Sequence, residues 1–234
     1  MRLRGIDEER GGVRLDKPES FKCKLVSWDE ISKWTAEVAR KVRGSGCRPT
    51  VIIGLTRGGW VPARLLCDHL KVKKLYAVKT EHWGVTANPD GKALLTQELN
   101  INIENDSVLV VDDITDTGES MTLAMAHLFK MKPRELRNAT LLHITHSKIE
   151  PEFYTVRVPK EKWTWFIFPW NQNEDMRTIL PKTLWSPKNV NEIREAFRKQ
   201  FMIKPSEPAI RGTLADLESE GKIIRQGVRW ERKA

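Results

Sequence analysis

A chain of 234 residues is long enough for one α/β domain and an appendage, and its formal charge of +9 is compatible with an anionic ligand without establishing one. No apolar run approaches the length of a membrane span, and the start of the chain lacks a signal-peptide pattern. Cys23, Cys47 and Cys67 are scattered with no CxxC pair, which argues against a disulfide framework and reads as reduced thiols in a cytoplasmic protein.

Residues 1–20 are polar and contain Gly5, Gly11 and Gly12, and they read as a flexible leader. A helix is predicted over 28–43. Ser27 or Asp29 can cap it, Trp28, Ile31, Thr35, Val38, Ala39 and Val42 line one face, and Gly44 ends it. A short buried strand over 50–54 runs into the loop Gly54-Leu-Thr-Arg-Gly-Gly59, and a helix then extends to about residue 70. A second strand covers 74–79. Residues 80–96 hold Gly84 and Asn88-Pro-Asp-Gly91 and read as a long excursion or hairpin, a feature that is often functional. The four apolar residues 108–111 read as a strand buried on both faces, followed by a helix from Gly118 to near Lys130. Further strands are predicted over 138–145, 153–158 and 163–168. Strand and helix alternate from Trp28 to Arg134, so the fold class expected is α/β with a mainly parallel sheet flanked by helices.

Chemistry concentrates in residues 108–120. The apolar strand ends in Asp112-Asp113, and the loop continues through Ile114, Thr115, Asp116 and Thr117-Gly118-Glu119 to Ser120. In an open α/β sheet the C-terminal edge of a strand is where ligands bind. A helix N-terminus fed by Thr, Gly and Ser can cradle a phosphate. Paired acids would repel a bare phosphate, but they suit a sugar phosphate, whose ribose hydroxyls they can accept and whose divalent cation they can help hold. In the loop 54–59, glycines let backbone N–H groups approach an anion, and Arg57 offers a two-pronged donor for phosphate oxygens.

In order, the apolar strand, Asp112-Asp113, two spacers, Asp116, Thr117-Gly118 and Ser120 resemble the phosphoribosyl-pyrophosphate (PRPP) motif of type I phosphoribosyltransferases. The upstream Gly-x-x-Arg-Gly-Gly resembles the pyrophosphate loop of the same family. Lys148 and the Trp-rich segment 158–170 are similar to the base-binding block of short bacterial and archaeal 6-oxopurine, xanthine-guanine type, members. The resemblance covers about residues 25–180 and implies the type I phosphoribosyltransferase fold, with a hood loop over about 80–100. It implies transfer of 5-phosphoribose from PRPP to a purine nitrogen with release of pyrophosphate, in purine salvage, with Mg²⁺ as cofactor.

The roles implied are these. Asp112 and Asp113 grip the ribose hydroxyls, with Asp113 also near the metal, and Thr115, Asp116, Thr117, Gly118, Glu119 and Ser120 surround the 5′-phosphate. Thr56, Arg57, Gly58 and Lys79 bind pyrophosphate, and a non-proline cis peptide is expected near Leu55-Thr56. Lys148 donates to the purine's exocyclic oxygen, and Trp165 stacks on the ring, with Trp163 left open for that part. Asp116 is the catalytic acid or base at purine N7 and favours guanine, hypoxanthine or xanthine, with adenine as an alternative. Two residues depart from the family pattern. Asn171 stands where an acid is usual, and Glu119, inside the phosphate cradle, is expected to point to solvent.

The domain reading is a leader over 1–20, a phosphoribosyltransferase domain over 21–186, and a helix-helix-hairpin appendage over 187–234. The last helix, Gly221, Ile223-Ile224, a turn at Gln226-Gly227 and Trp230 look like the end of a winged-helix domain. Helices are predicted over 190–201 and from Ser206-Glu207-Pro208 to Gly221, and the interval between them is too short for the usual middle helix, so nucleic acid is not an expected partner. The partners expected are PRPP and a purine base, with no membrane and with a homodimer or larger homo-oligomer. A different class of protein stays open, a PRPP-sensing regulator that binds nucleic acid through this tail without catalysis.

Overall fold

The computed structural model describes residues 19–82 and 93–233. Nearly all of the predicted leader and the middle of the predicted hood lie outside the described residues. The chain divides into two compact units, one of them Lys24–Gln172 and the other formed from the chain before and after it.

In the first unit, β1 (Cys23–Leu25) precedes α1 (Trp28–Gly44), β2 (Val51–Thr56), α2 (Trp60–Leu70), β3 (Lys74–His82) and β4 (Ala93–Gln97). Then come β5 (Ser107–Thr115), α3 (Glu119–Phe129), β6 (Glu135–Ile144), β7 (Val156–Val158) and β8 (Trp165–Ile167). Six strands form a sheet in the order β4-β3-β2-β5-β6-β7. All neighbours are parallel except the edge pair β3 and β4, which run antiparallel as a hairpin would. β1 and β8 make a separate two-stranded pair.

β5 is buried on both faces because its residues alternate between two cores. Leu109 and Val111 pack with Ile31, Val38 and Val42 of α1 and Ala63 and Leu66 of α2. Val108 and Val110 pack on the opposite side with Met121, Ala124 and Leu128 of α3. This sandwiching fixes the register of β5 and therefore where its acidic end emerges, since a slip of one residue would exchange the faces. α1 begins as predicted at Ser27, whose side chain accepts from the Glu30 N–H while the Glu30 carboxylate accepts from the Ser27 N–H. Lys71 adopts the left-handed conformation where α2 ends.

The second unit contains α4 (Gln172–Ile179), a 3₁₀ turn over Leu180–Thr183, α5 (Val190–Ala196) and a π turn over Phe197–Phe201. α6 (Glu207–Ser219), β9 (Ile223–Gln226) and β10 (Arg229–Arg232) complete it. Its core is built from Ile179, Leu180, Ile193, Phe197, Phe201, Leu214, Leu217 and Trp230, all buried. β1 and α4 are not apparent in the sequence. β1 has three residues, and α4 buries only Met176 and Ile179 as apolar groups, too few for a clear helical period.

All three cysteines are buried and unpaired, and burial raises the Cys23 thiol to about 12, so none is poised as a thiolate. Among the described residues no helix is long and apolar enough to cross a membrane.

Leu109 is fully buried in the central strand. Leu109→Ala is expected to cost about 2–5 kcal/mol in urea unfolding. A cost below about 0.5 kcal/mol would show that β5 is not the centre of the core.

Candidate functional site

β2 and β5 are parallel neighbours, so their C-terminal ends meet at one edge of the sheet. From β5 this edge receives Asp112 and Asp113, and from β2 it receives Thr56 and the loop to Gly59. The approach is close enough that only glycine fits. A Cβ on Gly58 would lie 2.3 Å from Asp113 Oδ2, and one on Gly59 would lie 2.3 Å from the Val111 carbonyl oxygen. The peptide bond between Thr56 and Arg57 is cis, one residue later than the position expected from the sequence. Lys79 on β3 is the register partner of Thr56 and forms an ion pair with Glu81 at 2.5 Å.

Residues Asp112, Asp113, Ile114, Thr115, Asp116, Thr117, Gly118 and Ser120, with Met121, line one pocket of about 200 Å³. Gly118 has φ +81°, a conformation that side-chain-bearing residues rarely adopt, and it leads directly into α3. Thr117 Oγ1 accepts from the Glu119 N–H at 3.4 Å. The Thr115 hydroxyl donates to Thr140 Oγ1 at 3.1 Å, so it is engaged within the fold.

Asp112 and Asp113 are held together with little to neutralise them. The Asp113 N–H donates to Asp112 Oδ1 at 2.9 Å, and the Trp170 Nε1–H donates to Asp113 Oδ2 at 3.1 Å. Burial raises the Asp113 carboxyl from its ordinary 3.8 to about 6, against the opposing effect of the Trp170 and backbone hydrogen bonds. Asp112 is pushed well above its ordinary value, first by burial and then by the neighbouring charge of Asp113.

Three residues absent from the sequence reading belong to this site. Trp170 is one, held in place by stacking on Phe168 at 4.9 Å and by a tilted contact with Trp28 at 5.9 Å. His146 is another, with Nε2 2.7 Å from Asp116 Oδ1, although that oxygen makes no aligned hydrogen bond among the described residues. Ser147 is the third, since its Oγ would lie 2.5 Å from a Cβ on Gly118. The Pro-Trp sequence marked Trp170 only as a spacing landmark. His146 and Ser147 sit on the turn after β6, and nothing in their local sequence points to β5.

Lys148 comes to the loop at Thr117–Glu119. Its N–H donates to the Thr117 carbonyl at 3.0 Å, and its ammonium pairs with Glu119 Oε1 at 2.9 Å. Glu119 therefore does not point freely to solvent as expected, because Lys148 offsets its charge beside the pocket. Trp163 and Trp165 stay together, ring centroids 6.3 Å apart in a T-shaped contact, so the geometry does not separate their parts.

Residues 26–175 match the family described as phosphoribosyl transferase domain. A xanthine-guanine phosphoribosyltransferase from Cereibacter sphaeroides is 26% identical over 151 residues, covering 62% of this chain and 85% of that protein. A protein of the same name from Roseobacter denitrificans is 24% identical over 155 residues, covering 62% of this chain and 84% of its own. Among solved structures, a purine phosphoribosyltransferase from Pyrococcus horikoshii superposes with a TM-score of 0.56 at 24% identity, covering 64% of this chain and 94% of that one. That last likeness speaks to the fold, a mainly parallel sheet flanked by helices.

The acidic pair sets a dependence on pH. The folded chain holds the Asp113 proton more tightly than the unfolded chain does, so this group's contribution to stability falls as pH rises from 3.8 through about 6. Asp113→Asn removes the term. It is expected to raise Tm by a few degrees near pH 8, with the gap narrowing towards about pH 5 in thermal melts without ligand. A gap that does not change with pH would refute the account.

Proposed function

Since the chain belongs to the phosphoribosyl transferase family, as residues 26–175 show, we propose that it transfers 5-phosphoribose from PRPP to a 6-oxopurine and releases pyrophosphate. The observation that carries this reading is one pocket lined continuously from Asp112 to Gly118 and by Ser120, with Gly58 packed close against Asp113. Relatives named xanthine-guanine phosphoribosyltransferase support xanthine or guanine as the base.

In this proposal Asp112 and Asp113 accept hydrogen bonds from the ribose hydroxyls. Thr115, Thr117, Gly118 and Ser120 hold the 5′-phosphate at the start of α3, with the Lys148–Glu119 pair at the rim. Thr56, Arg57 and Gly58 hold the pyrophosphate, with Lys79 in register beside them. The C1′–oxygen bond to pyrophosphate breaks as purine N9 bonds to C1′, and Asp116 takes the proton that leaves N7. His146 keeps the Asp116 carboxylate in place from the other side. Trp165 or Trp163 supplies the stacking face for the purine.

The two carboxylates fit a hard divalent cation. Asp113 is buried and Asp112 half-buried, both only accept when ionised, and no basic side chain forms an ion pair with either among the described residues. Mg²⁺ arriving with PRPP would be held by Asp113 and would supply charge neutralisation for the leaving pyrophosphate. Among the described residues no three His, Cys, Asp or Glu side chains converge as a metal cage, and an ion that keeps the substrate's own phosphates as ligands does not need one.

Turnover with PRPP and Mg²⁺, assayed separately with guanine, hypoxanthine, xanthine and adenine, should yield a nucleotide from at least one 6-oxopurine. Nucleotide from adenine alone would shift the base assignment, and none from any base would leave the sensor class of protein. Asp116→Ala should lower kcat by roughly 10²–10⁴-fold, and unchanged turnover would remove Asp116 from its role. Gly58→Ala should raise KM for PRPP or lower kcat by up to about 10²-fold by displacing Asp113 or the loop. Kinetics identical to the parent would show that the close approach is incidental.

A further inference from the structure

The residues after 175 lie outside the family match. Sequence alone finds no room for a middle helix between the last two helices, but the structure begins the count one helix earlier. α4 is the first helix, Lys188 forms an antiparallel bridge to Trp230, α5 is the middle helix, α6 is the third, and β9 with β10 is the wing. Between α5 and α6 the chain reverses at Met202, which has φ +59°. Helix, strand, helix, helix and a two-stranded hairpin whose far strand pairs with the first is the complete winged-helix order. The short interval is the ordinary turn of its helix-turn-helix.

Charge on this unit is uneven. Residues 222–233 carry Lys222, Arg225, Arg229, Arg232 and Lys233 against one acid, Glu231. The acids of α6 and its C-cap are engaged within the unit. Glu207 pairs with Arg211 at 2.8 Å, Asp216 with Arg177 at 3.8 Å and Glu220 with Lys222 at 2.9 Å, while Glu218 accepts from Trp230 Nε1 at 3.2 Å. Lys199 and Lys204 beside the turn, and Arg225, Arg232 and Lys233 on the hairpin, are exposed and have no ion-pair partner among the described residues. Five exposed cations on the turn and the wing are placed where a winged helix meets the phosphates of a duplex.

We propose that this unit binds double-stranded DNA through the phosphates, with the hairpin and the turn before α6 as its two contact elements. A two-stranded ribbon fits the major groove of B-form DNA, whereas the major groove of A-form RNA is too narrow to admit side chains. The carboxylates on the outer face of α6 disfavour close approach to phosphates there, so binding is dominated by backbone contacts and is weakly selective for sequence.

The test is fluorescence anisotropy of the full-length chain with a labelled duplex a few helical turns long, across a range of salt. With four or five phosphates neutralised, log K should fall with log salt at a slope of about −4. Arg232→Glu with Lys233→Glu should weaken binding by roughly tenfold or more and flatten that slope by about two, with phosphoribosyl transfer unchanged. Lys199→Ala with Lys204→Ala, on a separate element, should produce a comparable flattening, so that misfolding of the hairpin cannot account for both losses. The proposal fails if binding lacks salt dependence or if both double variants bind as the parent does. It also fails if single strands or RNA duplexes bind as tightly as DNA. Charge reversal that alters only the oligomeric state would make the hairpin a protein contact and would equally overturn it. Binding of DNA does not depend on the catalytic reading, since the turnover assay tests that separately.

Discussion

The site depends on keeping the buried Asp113 and the half-buried Asp112 together towards the end of a strand that cannot shift. β5 is clamped between the α1–α2 layer on one face and α3 on the other, so its register is set by Leu109 and Val111 against Val108 and Val110. The acids inherit that rigidity. Their burial opposes ionisation, and the donors nearest Asp113, the Trp170 indole and backbone N–H groups, carry no full positive charge. Such a site is poorly satisfied when empty and gains most when a cation and hydroxyl donors arrive together. Ligands of that kind add their binding energy to the stability of the folded chain. Resting stability is exchanged here for affinity towards one kind of ligand.

The same constraint explains the glycines. Gly58 and Gly59 press against Asp113 and the Val111–Asp112 backbone, so the loop from β2 and the end of β5 behave as one surface. Side chains at either position would open a gap between the loop after β2 and Asp113. Gly118 does the same on the other side, where Ser147 and Ile149 leave no room for a Cβ. Three strand ends are thus drawn together by close backbone approaches, with little help from ion pairs.

What could be read from the sequence follows from this design. The apolar run of β5, its acids and Gly118 are contiguous, so strand, loop and helix start were visible together. The Gly-rich loop was visible for the same reason. Trp170, His146 and Ser147 were not, because each reaches β5 from a segment more than two dozen residues away, and only the parallel register of β5 with β6 brings the turn after β6 alongside. Lys148 shows the limit of reading by resemblance. The resemblance assigns it to the purine's oxygen, whereas the structure adds a pair with Glu119 that the separation in sequence hides. In the second unit, α4 was missed because two buried apolar residues in eight make no period, and without α4 the order of helices could not be counted correctly.

The two units meet anions by opposite means. At the end of β5 the groups lining the pocket include carboxylates, so in the proposed reaction a phosphate-bearing substrate enters with a cation and with hydroxyls placed to donate. The hairpin and the turn before α6 include exposed Lys and Arg with no ion-pair partner among the described residues, which attract any dense array of phosphates and lose that attraction as salt is added. The first arrangement is selective because it is costly to fill wrongly; the second is permissive because its cations pay little for being solvated. The acids of α6 sharpen this contrast. By pairing with Arg177, Arg211 and Lys222, the acids of α6 and its C-cap offset those three cations and keep the helix's outer face from adding to the attraction. Of the positive charge that remains, the wing and the turn carry five exposed cations, where a charge reversal can be made without touching the core or the acids of β5.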